Sequence, residues 1–200
     1  MRRRLTATAL LLGLSACATA PESTTPAAMG EAPAATTPSV AAASPQNAAV
    51  EKVDVTTLEF ETEIARPVAQ VWDAMFSRDG YTQWTAPFMA GSYFEGSWAE
   101  GERIHFLAPG GSGMVAEIAA NRPHEFLSIK HLGYVVNGVE DLTSEGVRSW
   151  APAYENYRFR SVPGGTVVMV EHEVMTSVEG YMGAVWPKAL AALKSMCEAQ

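Results

Sequence analysis

The sequence predicts an α+β domain in which a curved antiparallel β-sheet of about six to seven strands wraps a long C-terminal helix. Three observations predict it. Between Val178 and Glu198 the residues Val178, Met182, Val185, Trp186, Ala189, Leu193 and Met196 recur at steps of three and four, which gives a helix one continuous apolar stripe. Ahead of that helix lies a run of short β-like segments separated by Gly, Pro and Asn turns, a broad apolar partner for the stripe. All five Trp, six Tyr and seven Phe lie after residue 57, so the core belongs to the last ~150 residues, an ordinary single-domain size.

Thr57 to Ile64 alternates Leu58, Phe60, Thr62 and Ile64 against Glu59, Glu61 and Glu63, a strand with one dry and one wet face. Arg66-Pro67 opens a helix carried by Val68, Val71, Trp72, Met75 and Phe76, which Asp79-Gly80 is expected to stop. Tyr81 to Phe88 reads as a helical turn ended by Pro87. Strands follow over Ser92–Trp98, Arg103–Leu107, Met114–Ala119 and Phe126–Leu132. Gly110-Gly111-Ser112-Gly113 sits between two of them and reads as a hairpin turn, not a phosphate loop. Asn137 to Ser149 is polar and acidic, a loop or short helix. Tyr154–Ser161 and Thr166–Val174 form a hairpin about Pro163-Gly164-Gly165, and the long helix closes the chain. Pro187 is expected to kink that helix or restart it.

The N-terminus reads as an address. Arg2, Arg3 and Arg4 precede a short apolar run, Leu5 to Leu14, far below the ~20 residues that span a bilayer. Leu14-Ser15-Ala16-Cys17 resembles a bacterial lipobox, which implies cleavage before Cys17 and acylation of it; an ordinary cut near Ala18-Thr19-Ala20 is the alternative. Residues 18–53 are mostly Ala, Pro, Thr and Ser with no bulky side chain to bury, a disordered tether of roughly 30 Å end to end. The expected organisation is a signal peptide at 1–17, the tether at 18–53 and the folded domain at 54–200. If Cys17 is acylated, Cys197 is left without an intramolecular partner. The chain carries 14 Lys and Arg against 22 Asp and Glu. Setting aside Arg2, Arg3, Arg4, Glu22 and Glu31 leaves −9 from residue 51 onward. That surface repels phosphate backbones and anionic lipid, so nucleic acid is excluded as a partner and any membrane association rests on Cys17 alone. The expected location is the periplasm, anchored to the outer membrane more than the inner one.

Arg66-Pro67 with Val71-Trp72, Gln83-Trp84 with Pro87, Gly101, Pro123, Gly164-Gly165-Thr166, His172 and Trp186 resemble the START-like helix-grip superfamily (SRPBCC), nearest its heat-shock ATPase activator-like branch. The resemblance spans roughly residues 55–198. It implies a helix-grip fold with an apolar cavity between sheet and C-terminal helix, and Trp84 and Phe88 near its entrance. Members include lipid carriers, hormone receptors and polyketide cyclases.

No His-Glu-x-x-His, Gly-x-Ser-x-Gly, Cys-x-x-Cys or phosphate-loop pattern is present, so no catalytic residue and no cofactor is assigned. Strand parity points His172 inward with Val168 and Val170, and His131 inward with Leu127 and Ile129, while His105 points outward. His124, after Pro123, reads as solvated. Two inward histidines lack a third metal ligand, because Glu171 and Glu173 have the wrong parity, so no metal site is expected. The cavity candidates are Trp84, Phe88, Leu127, Ile129, His131, Tyr157, Val168, Val170, His172, Met182, Val185 and Trp186. Within the C-terminal helix, Ala189, Leu193 and Met196 are expected to seal the core, and Met182, Val185 and Trp186 to face a ligand. The expected partner is a hydrophobic small molecule or lipid; an enzyme of cyclase or hydrolase type with His131 or His172 as general base, and a protein-interaction module, remain open. The sequence leaves the oligomeric state open.

Overall fold

The computed structural model describes residues 50–199; the predicted signal peptide, Cys17 and the tether up to residue 49 lie outside them. Eight antiparallel strands form one sheet: β1 (Val55–Ile64), β2 (Tyr93–Gly96), β3 (Arg103–Leu107), β4 (Gly113–Arg122), β5 (Phe126–Val136), β6 (Val139–Asp141), β7 (Ala153–Val162) and β8 (Gly165–Met175). Their order is β1-β8-β7-β5-β4-β3-β2, with the three-residue β6 paired to β5 off this path. Three short helices, α1 (Val68–Phe76), α2 (Arg78–Trp84) and α3 (Glu145–Trp150), and the long α4 (Glu179–Glu198) complete the domain. The sheet curves around α4, the helix-grip arrangement. The additional strand relative to the predicted six or seven is β6, too short to show a period.

Local chemistry explains the other differences. Asp79-Gly80 does not stop α1; it lies in the first turn of α2, whose start is capped by the Ser77 hydroxyl accepting from the Gly80 N–H at 3.0 Å. Gly80 is required there, since a Cβ would overlap the Ala74 carbonyl oxygen at the close α1–α2 corner. The polar stretch after β5 is β6 followed by α3, capped by the Ser144 hydroxyl on the Val147 N–H. Ahead of β1, Lys52 Nζ donates to the carbonyls of Arg148 and Ala151, and the Val53 N–H to Ser149, so the chain is held to the fold from Lys52.

α4 runs unbroken through Pro187, so the predicted restart does not occur. Proline removes one backbone hydrogen bond, which the buried face compensates: Trp186, Ala189, Leu190, Leu193 and Cys197 join the main core with Ile64, Val71, Met75, Leu127, Val168 and Val170. A second cluster, Leu107, Val115 and Val135, packs on its own. Two register shifts bend the β4–β5 pair, between Val115 and Ala116 and between Ile118 and Ala120. At the first, Val115 pairs with Gly133 but Ala116 with His131, so Leu132 is the extra residue and side-chain parity reverses along β5.

Candidate functional site

Between the inner face of the sheet, α2 and the start of α4 lies a cavity of about 350 Å³. Ten of its lining residues are Phe, Tyr or Trp, and no lysine or arginine among the described residues borders it. The volume falls at the lower end of small-molecule sites.

The structure brings eight of the predicted candidates to this cavity: Trp84 and Phe88 from the end of α2 and the turn after it, Ile129 and His131 from β5, Tyr157 from β7, His172 from β8, and Met182 and Trp186 from α4. The other four do not border it. Leu127, Val168 and Val170 share the inward parity but lie further along their strands, in the main core, at 0%, 0% and 1% exposure. Val185 is buried as well, but one residue is about 100° of helix rotation, which turns it away from the face that Trp186 presents. His105 lies on the other face, with Nε2 2.8 Å from Glu140 Oε1.

Sequence reasoning missed the polar centre of the cavity, Glu155. In β7 the inward residues are Ala153, Glu155, Tyr157 and Phe159, so Glu155 shares the face of Tyr157 and stands opposite His172 on β8 and Ile129 on β5. The parity of Tyr157, two residues on, carries that signal. Glu155 Oε1 accepts from the Tyr157 hydroxyl, while Oε2 lies 3.4 Å from His131 Nε2 and 3.5 Å from His172 Nε2. Glu173, next to His172 on β8, is also among the residues around the cavity, its Oε2 accepting from the Tyr154 N–H at 2.8 Å.

The absence of a third ligand next to the two histidines is therefore overturned. Donor atoms of His131, Glu155 and His172 all lie within 4.8 Å of one another, two histidines and a carboxylate. One bond works against a metal. The Trp186 indole N–H, which can only donate, points at His172 Nδ1 from 3.0 Å. His172 must accept there, so in its neutral form the proton sits on Nε2 and faces Glu155. A metal needs the Nε2 lone pair free and the other ring nitrogen acting as a donor to its neighbour. The same bond deprives His172 of a basic nitrogen for a substrate.

The electrostatics follow from burial. Desolvation pushes the His172 imidazole below its ordinary range, partly opposed by the Glu155 charge. Burial alone would raise the Glu155 carboxyl; the charge of His172, the hydrogen bond and charge of His131 and the Tyr157 hydroxyl together outweigh it and hold the group well below the usual carboxylate range. Burial, then the Glu155 charge, raise the hydroxyls of Tyr81 and Tyr157 well above the ordinary tyrosine value, so both stay protonated. His131 is 5% exposed, and its Nδ1 has no hydrogen-bond partner among the described residues. The indole N–H groups of Trp98 and Trp150, residues that border the cavity, also lack one.

No family model matches the chain, and no curated protein matches it. Among solved structures it is similar to protein MLL2253 from Mesorhizobium loti, at 18% identity and a TM-score of 0.57 over 72% of this chain and 98% of that one. It is similar to the Aha1 dimer from Colwellia psychrerythraea, at 18% identity and a TM-score of 0.56 over 72% and 96%. CalU16 from Micromonospora echinospora aligns at 18% identity and a TM-score of 0.52 over 72% and 76%. At these identities the likeness is one of fold, and the fold is the helix-grip one that the residue motifs resemble.

Proposed function

We propose that this domain binds a hydrophobic small molecule or lipid chain in the cavity between its sheet and α4. The observation that carries the reading is the cavity, about 350 Å³, aromatic along much of its lining, with its polar groups gathered at Glu155, His131 and His172. Apolar walls with a few convergent polar groups are the usual make-up of a small-molecule site. The bond from Trp186 to His172 supports a binder over an enzyme that uses His172 as general base, because Nδ1 accepts from the indole and Nε2 of the neutral ring then carries the proton.

Native mass spectrometry of the gently purified chain should show a retained apolar molecule, or a panel of apolar compounds should raise its melting temperature. A chain that retains nothing and responds to nothing would defeat the proposal. The lipobox-like Leu14-Ser15-Ala16-Cys17 supports a second part of the reading, that the domain is a lipoprotein held in the cell envelope by acylated Cys17. Fatty-acid labelling present in the wild type and absent in Cys17→Ser is the expected result; equal labelling of the two would refute it.

A further inference from the structure

We propose that the polar end of the bound molecule is an organic cation, a protonated amine that can donate a hydrogen bond, held at Glu155 among the aromatic side chains. The inference rests on the apolar-cavity reading above and adds the charge of the ligand to it. Its first support is the balance of formal charge: Glu155 and Glu173 border the cavity, and no lysine or arginine among the described residues does. An anionic head group would meet the Glu155 carboxylate with no lysine or arginine to offset it, in a medium that screens poorly. A cation would meet the opposite.

The second support is the unfilled bonding capacity of Glu155. A carboxylate offers about four lone-pair sites. Here one oxygen holds the Tyr157 hydroxyl, and the other has only the two histidine nitrogens, at 3.4 and 3.5 Å, at or beyond the long limit for N–H donors. Room for a closer donor remains, and the cavity is where such a donor would sit. His131, nineteen-twentieths buried with one ring nitrogen unpartnered, marks the same end as built for something further.

The third support is the character of the walls. Tyr81, Trp98 and Phe106 border the cavity with ring centroids 5.7 to 6.2 Å apart, and the Phe106 ring lies 5.9 Å from that of His131. Ring faces carry partial negative charge and attract ammonium groups, the most so for Trp and Tyr. A divalent metal, the other cation to consider, is disfavoured by the proton that Trp186 keeps on His172 Nε2.

The test holds the hydrocarbon constant and varies the head group. The purified wild-type chain is titrated with decylammonium, decanol and decanoate, each below its micelle concentration, and binding is read by tryptophan fluorescence and calorimetry. The expected order is cation at least tenfold tighter than alcohol, and alcohol tighter than carboxylate, with the advantage of the cation shrinking to a few-fold or less in Glu155→Gln. Equal binding of cation and alcohol, or tighter binding of decanoate, would overturn the charge assignment while leaving the apolar cavity standing. Failure of all three to bind would remove both readings. Tight zinc binding that competes with the ammonium and is lost in His131→Ala would overturn the assignment in favour of a metal centre. The wild-type ranking decides the matter even if circular dichroism shows Glu155→Gln to be unfolded.

Discussion

Trp186→Phe tests the polar chain that links α4 to the sheet. Trp186 is 1% exposed, and its indole N–H is the donor that fixes the His172 tautomer. The substitution removes three buried side-chain heavy atoms, worth roughly 2 kcal/mol at about 0.8 kcal/mol each. It also removes one buried hydrogen bond, for about 1 kcal/mol more. The expected loss is therefore about 3 kcal/mol in denaturant unfolding, or a melting temperature lower by roughly 6–12 °C for a domain of this size. Two further readouts separate this from plain loss of packing. Imidazole nitrogen NMR should show the His172 proton on Nε2 in the wild type and a mixture of tautomers in the variant. Zinc affinity should rise in the variant, since a proton moved to Nδ1 frees the Nε2 lone pair beside Glu155 and His131. A loss below about 0.5 kcal/mol, or a wild-type proton on Nδ1, would refute the argument.

Stability should fall on acidification. His172 and Glu155 both bind protons more weakly in the folded chain than their ordinary values of 6.5 and 4.5, so the unfolded chain takes up more protons as pH drops. The loss should begin below about 6.5 from His172 and deepen below about 4.5 from Glu155; a flat melting temperature from pH 7 to 4 would contradict it. Tyr157→Phe removes a donor from Glu155, so its carboxyl should titrate at higher pH, acid unfolding should start earlier, and about 2 kcal/mol should be lost at neutral pH. An unmoved acid limb would count against that bond. Leu193→Ala, at a fully buried position of α4, should cost about 3 kcal/mol in chemical denaturation, and a cost under about 1 kcal/mol would show that the helix does not close the core.

Much of the architecture can be read from the residues because it rests on periodicity. In β1 the three glutamates alternate with Leu58, Phe60 and Thr62, and Ile64 ends the dry face fully buried. In β8 the same rule turns His172 towards α4, where Trp186 meets it. Periodicity fails where an extra residue breaks the count. β5 continues four residues past its expected end at Leu132, and its bulge puts Tyr134 on the cavity beside His131, although strict alternation from His131 would place it on the opposite face. Tertiary contact settles other points. The fate of Pro187 depended on the partner of its helix, and a helix held along one side by β1 and α2 tolerates the missing bond.

Glu155 is the most instructive of these residues. Its position on the dry face of β7 follows from Tyr157 and Phe159, two and four residues on, yet a carboxylate there conflicts with the hydrophobic pattern that defines the face. Such a conflict is costly unless donors approach the charge; the Tyr157 hydroxyl donates to it, and the ring nitrogens of His131 and His172 stand 3.4 and 3.5 Å away. They come from three adjacent strands, β5, β7 and β8, so no local stretch of sequence contains the group. A core needs none of these residues to be polar; apolar side chains of similar volume would pack the same space without the desolvation cost. That a tyrosine, two histidines and the indole of Trp186 are all spent on holding one carboxylate at the edge of an aromatic cavity is the structural reason to look for a ligand there, and to expect that its charge is the opposite of that of Glu155.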